Sequence, residues 1–212
     1  MADETAQILL KRLDSLVVQR QTWESHWQEV ADYVVPRKAD VTKNRSAGDK
    51  RSELVFDGTA IHAAELLAAA LHGMLTNGST SWFSLRYSDR ELNGDDEAME
   101  WLQSVEDVMY QAFNRSNFQE QIAEIYLDLV TFGTAVMFVD KDEDQQVRFS
   151  TRHIRECFLS EDDKGRVDTV YRKFKMPARA AMQRFGDDKC DNKIQQKASK
   201  NPYDEITLVH AV

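Results

Sequence analysis

The sequence predicts an α+β fold: a long amphipathic N-terminal helix within a mainly helical region 1–133, then a β-rich region 134–212 built as an antiparallel meander with one short helix. Three observations predict it. Apolar side chains recur at alternating steps of four and three from Leu9 to Val34, the apolar period shortens to two after Thr134, and the chain holds only 8 Gly and 3 Pro in 212 residues. With 42% hydrophobic residues there is enough apolar surface for a sizeable core. The longest apolar run, around Leu66 to Leu71, falls far short of the roughly 18 residues of a membrane span, and the N-terminus lacks the pattern of a secretory signal. A cytoplasmic origin is therefore expected. A net charge of −9 argues against tight binding to the outside of a nucleic-acid duplex, and two cysteines, Cys157 and Cys190, exclude a disulfide scaffold and a paired-cysteine zinc site.

The first helix is expected over residues 5 to 35, with Leu9, Leu13, Leu16, Arg20, Trp23, Trp27, Val30 and Val34 on one seam and Pro36 as its stop. Most of that seam should lie on the chain's own core. From Arg37 to Ser52 six basic residues face two acidic ones, and Val41 is the one large apolar side chain. This reads as a mobile, solvated loop whose local positive charge could meet phosphate or an acidic partner. A helix follows, capped by Asp57 and ended by Asn77-Gly78, about 28 Å long; its alanines make it narrow and suited to a central position. The alternation of Phe83, Leu85 and Tyr87 predicts a strand. Asp95 or Asp96 then caps a helix facing inward through Leu102, Val105, Met109, Ala112 and Phe113. Another runs through Phe118, Ile122, Ile125 and Leu129, with Asn117 and Glu120 at capping-box spacing and Gly133 at its end. Two hairpins turn at residues 141–144 and 161–165, a short helix lies between Pro177 and Gly186, a polar loop is expected over 187–201, and a strand carries Ile206, Leu208, His210 and Val212. Ending in a strand pattern, the sequence reads as the front part of a longer protein.

No nucleotide-binding, acyl-transfer or zincin motif occurs, so no enzyme is expected and no catalytic, cofactor-binding or metal-ligating residue is assigned. Asp140, Asp142 and Asp144 have calcium-loop spacing, but Gln145 and Thr151 stand where that loop needs Gly and Glu, so they read as a solvated turn. His62 and His72 are about 15 Å apart along a helix, too far to share a metal. His153 and Cys157 are about 13 Å apart along a strand, and Cys157 reads as a buried structural thiol.

Four co-linear strings carry a resemblance: LLKRLDSLVVQRQTWESHWQEVADYVVPR from Leu9, VFDGTAIHAAELLAAALHGMLTNGSTSWFSL from Val55, YLDLVTFGTAVMFVD from Tyr126, and ECFLSEDDKGRVDTVYRKFKMPARAAMQRFG from Glu156. Together they resemble the N-terminal, wing-like part of the portal proteins, or head-to-tail connectors, of short-tailed T7-like bacteriophages. The resemblance implies a structural subunit of a dodecameric ring at one capsid vertex, without ATPase activity of its own. It implies as partners the terminase large subunit, tail adaptors, capsid or scaffolding proteins, and double-stranded DNA passing through without sequence-specific binding. No membrane is implied; the place of action is the virion, with assembly in the host cytoplasm. Channel-lining residues are expected beyond Val212.

Two sets of residues are candidates for contact. Arg20, Trp23, Trp27 and Arg37 are expected near a subunit boundary, because Trp and Arg are enriched at interface hot spots. Lys43, Arg45, Lys50 and Arg51 are the candidates for phosphate or partner contact. They also define the alternative function, a cytoplasmic nucleic-acid-binding adaptor working through residues 37–52.

Overall fold

The computed structural model describes residues 2–46, 48–144 and 146–212; Gln145, named above as a calcium-loop position, lies outside them. The long seam forms α1, Ala2–Val34, and a short 3-10 turn at Pro36–Lys38 ends it, as expected for a proline without a backbone donor. The remaining helices are α2 (Thr59–Leu75), α3 (Asp96–Arg115), α4 (Phe118–Phe132), α5 (Ala178–Phe185) and α6 (Asn192–Lys200). Strands β1 (Val136–Asp142) and β2 (Gln146–Arg152) make one hairpin, and β3 (Cys157–Glu161), β4 (Val167–Pro177) and β5 (Glu205–Ala211) make a three-stranded antiparallel sheet. Helical and β-rich stretches therefore follow one another in the α+β order. By contacts the chain forms two compact units, residues 24–154 and residues 1–23 with 155–212, the division falling inside α1 and after Ile154.

In the unit 24–154 the central helix is α4, which buries Phe118, Ile125, Tyr126, Leu127, Asp128 and Phe132. Tyr126, Leu127 and Phe132 join Ala31 of α1, Val35 just after it, Ala64 and Ala68 of α2, and Ile154 in one apolar cluster. Position in this unit differs from expectation for α2. It is a flanking helix: Ala64 and Ala68 let it approach α4 closely, while its larger side chains, Leu66, Leu67 and Met74, point to water. Leu129 of α4 is likewise exposed. The expected strand over Phe83 to Tyr87 is an extended segment bonded to side chains. Tyr110 Oη accepts from Phe83 N–H and donates to Phe83 C=O, both at 2.7 Å, and Glu106 accepts from Leu85 N–H at 2.9 Å. Alternation correctly placed Phe83, Leu85 and Tyr87 inward, but a helix supplies their partners. The ring of Trp82 stacks on Phe118 at 5.6 Å and that of Phe83 on Tyr110 at 4.4 Å, sealing this edge.

Helix ends follow the physics of orphan backbone groups. Asp95 caps α3 by accepting from Glu97 and Ala98 N–H, and Gly133, at φ 75°, closes α4 in the left-handed region. Asp57 accepts from Thr59 N–H although Gly58 holds the cap position of α2. The capping box expected at Asn117 is replaced by something longer in range. Its side-chain amide donates to Phe149 C=O at 2.8 Å and accepts from Phe149 N–H at 2.9 Å, tying the start of α4 to β2.

In the other unit, Leu13 of α1 packs with Phe158 of β3 and Tyr171 of β4, with Leu9 and Leu16 beside them. The register pairs Cys157 with Arg172 and Phe158 with Tyr171, and on the other edge Phe174 with Leu208 and Met176 with Ile206. Cys157 is buried, as a structural thiol should be. Residues 192–200, expected as part of a loop, form α6. Its polar composition conceals a narrow stripe, Ile194 and Ala198 at a spacing of four, that packs against Ala178, Ala181 and Ile206.

Candidate functional site

The segment 37–52 was expected to be mobile and to offer its charge outward; residues 39–45 and Arg51 are tied to their own unit, while Arg37, Lys43 and Lys50 remain exposed. Ala39 and Val41 are buried in the apolar cluster of their unit. On α1, the buried Gln28 bridges to the same strip of chain: its Nε2 donates to Ala39 C=O at 2.7 Å and to Asp32 at 3.1 Å. Its Oε1 accepts from Thr42 N–H at 2.9 Å and Lys43 N–H at 3.2 Å. A buried amide with its bonds made in this way fixes the backbone that follows α1.

The cations then find acids of their own chain. Lys43 pairs with Asp32 at 2.5 Å, and Arg45 lies 3.0 Å from Asp40 and 3.4 Å from Asp32. Arg51 donates through Nε and Nη2 to one oxygen of Asp40, at 3.0 and 2.7 Å. Burial pushes the Asp40 carboxyl up, but the bonds from Arg51 and Arg45 outweigh it and hold it below the ordinary carboxylate range. Lys50 is exposed. Of the four cations expected to contact phosphate, three are therefore committed to Asp32 and Asp40. Those acids lie outside the motif-like patterns of the sequence. The available signal was an inward-facing pair, Gln28 and Asp32, four apart on α1.

A second charged cluster joins the end of α1 to α4. Arg37 and Lys38 each lie 2.8 Å from Glu124, and Lys38 also bonds the buried Asp128. His153 donates from Nε2 to the Lys38 carbonyl at 2.9 Å. Burial pushes Glu124 up, yet Arg37 and Lys38 hold it below its ordinary value. For Asp128 burial wins, and its carboxyl lies above its ordinary value despite Lys38. Arg37 itself remains exposed.

The other expected boundary residues separate. Arg20 donates to Arg155 C=O at 3.0 Å and to Cys157 C=O, and its guanidinium sits 3.7 Å from the centre of the Phe158 ring, so it serves its own unit. Trp27 packs against the apolar cluster of the unit 24–154. Trp23 is 58% exposed, and Arg37 lies on the surface with Glu124 as its partner. Among the described residues no group of three or more His, Cys, Asp or Glu could hold a metal ion, and no helix is long and apolar enough to cross a membrane.

Large apolar side chains, among them Trp23, Leu66, Met74 and Trp101, stand in water. From residue 6 to residue 212 the chain matches the bacteriophage head to tail connecting protein family, and it belongs to that family. It is 32% identical over 215 aligned residues to a probable portal protein of Bordetella phage BPP-1, covering 100% of this chain and 39% of the relative. It is 29% identical over 205 residues to the portal protein of Salmonella phage epsilon15, covering 96% of this chain and 37% of the relative. The chain thus spans under two fifths of the length of these curated relatives.

Proposed function

We propose that this chain is part of a structural subunit of the portal ring at the capsid vertex, the head-to-tail connector through which double-stranded DNA is packaged and later ejected. The observation that carries the reading is the unbroken family match over residues 6–212. On this reading the subunit works as a dodecamer, docks the terminase large subunit during packaging and tail adaptors afterwards, and touches capsid or scaffolding proteins at its rim. Assembly takes place in the host cytoplasm. The reading assigns the chain no catalytic step; the work of packaging belongs to the motor.

An acidic balance is compatible with a conduit: a protein that neutralises many phosphates holds DNA through counterion release, and this part of the subunit carries a net charge of −9. The test is electron microscopy of the complete gene product with rotational-symmetry analysis. Closed rings with a central hole wide enough for a duplex are expected. Small monodisperse particles at high protein concentration would overturn the reading.

A further inference from the structure

Helix α2 carries more apolar surface than its own unit uses. Its inner side, Ile61, Ala64, Ala68 and Leu71, lies toward the apolar cluster shared with α4. The opposite side presents Ala63, Leu66, Leu67, Ala70 and Met74, which fall on one face at helical spacing. Leu66 is 61% exposed, Leu67 51% and Met74 81%, and Phe56, just before the helix, is 91% exposed. Across Thr59–Leu75 the sole carboxylate is Glu65, and there is no Lys or Arg. A helix that is apolar on both sides is ordinarily buried on both sides. The exposed side chains leave on the order of 500 Å² of apolar surface in water. That is the upper range for the largest patch of a monomer, and it approaches the roughly 800 Å² that each partner brings to a standard interface.

A ring closes through heterologous contacts, in which one face of a subunit meets a different face of the next. The chain has such a second face. Trp101 and Val108, 60% and 62% exposed and seven residues apart, form an outward stripe on α3.

We infer that the outer face of α2, from Ala63 to Met74, is a subunit contact covered by a second copy of this chain. The inference rests on the ring reading above and names the surface that closes it. Lacking Lys and Arg, the face has no means of holding a nucleic acid through its phosphates, and its apolar character suits a protein partner that adds further contacts around it.

The test uses the complete gene product carrying Ala70→Cys, with assembled and unassembled fractions separated by sedimentation and each exposed to a maleimide. The native thiols, Cys157 and Cys190, are both buried and serve as the internal background. Residue 70 should be labelled rapidly in unassembled subunits and at least about tenfold more slowly in rings. Equal, fast labelling in both fractions would overturn the inference by showing a face open in the ring. Equal, slow labelling would overturn it by showing a face covered by its own chain. In a second variant, Leu67→Glu with Met74→Glu, the account expects loss of rings with a circular-dichroism spectrum and melting temperature like those of the parent. Rings formed at the parental level, or an unfolded product, would contradict it. If the parent chain forms no rings at any concentration, both this inference and the ring reading fall; rings that leave residue 70 labelled sink the inference alone.

Discussion

Helices α2 and α4 lie against each other in the same unit, and both are rich in apolar residues, yet they use them in opposite ways. α4 turns Phe118, Ile125, Tyr126, Leu127 and Phe132 inward, so the chain closes around it. α2 buries two alanines and keeps Leu66, Leu67 and Met74 outside. The difference teaches that apolar content does not measure burial. What decides is the angular position of the large side chains, and a small-residue face can supply close approach while the large-residue face is left for another molecule.

The comparison can be broken by mutation, beginning with its strongest side. Replacing Phe132 by Ala in α4 should cost about 3–5 kcal/mol, because a buried ring leaves a cavity among packed neighbours. Chemical denaturation of the unassembled subunit reads this directly, and a cost under about 1 kcal/mol would show that α4 is not the central helix. Next in size is Gln28→Ala. Thr42 N–H and Lys43 N–H lose their side-chain acceptor, and Ala39 C=O keeps the Arg45 guanidinium as a donor but loses the Gln28 amide. A loss of about 1–3 kcal/mol is expected, with faster hydrogen exchange over 39–43.

Asp40→Asn should have a smaller effect, and one that depends on pH. The folded-state pKa of Asp40 is lowered, so its stabilisation is complete above the unfolded value of about 3.9 and is lost as pH falls through the folded value. The gap in melting temperature between parent and D40N is therefore largest near neutrality and closes in acid. Asp128, whose pKa is raised, has the opposite sign: its ionisation weakens the fold as pH rises through and above the unfolded value. A gap that is the same at pH 7 and in acid would mean that the Arg45 and Arg51 contacts do not anchor the segment. Smallest of all, Leu67→Ser on α2 should change the stability of the unassembled subunit by no more than about 0.5 kcal/mol, since that side chain already faces water.

The features that sequence revealed were those set by local chemistry. The 3.5-residue seam before Pro36, the cap at Asp95, the left-handed Gly133 and the two hairpins each depend on residues a few positions apart, and each stands where its pattern put it. Features set by distant partners were hidden. Phe83 to Tyr87 alternate as a strand does, but Tyr110 and Glu106 take the bonds that a neighbouring strand would make. Asn117 has the spacing of a cap and bonds Phe149 instead. The basic residues 43, 45 and 51 looked available because their acids, Asp32 and Asp40, are recognisable as partners only once the segment turns back along α1. For the same reason the acceptors of Arg20, the carbonyls of Arg155 and Cys157 more than 130 residues away, could not be read from the chain.

The most direct test of this contrast between α2 and α4 is hydrogen exchange followed by mass spectrometry on the complete gene product, assembled against unassembled. Peptides from Thr59–Leu75 should gain protection on assembly, while those from Phe118–Phe132 should be slow and equal in both states. Protection of α2 that is unchanged by assembly, or of α4 that appears only with it, would contradict the division between a helix closed by its own chain and one closed by its neighbour.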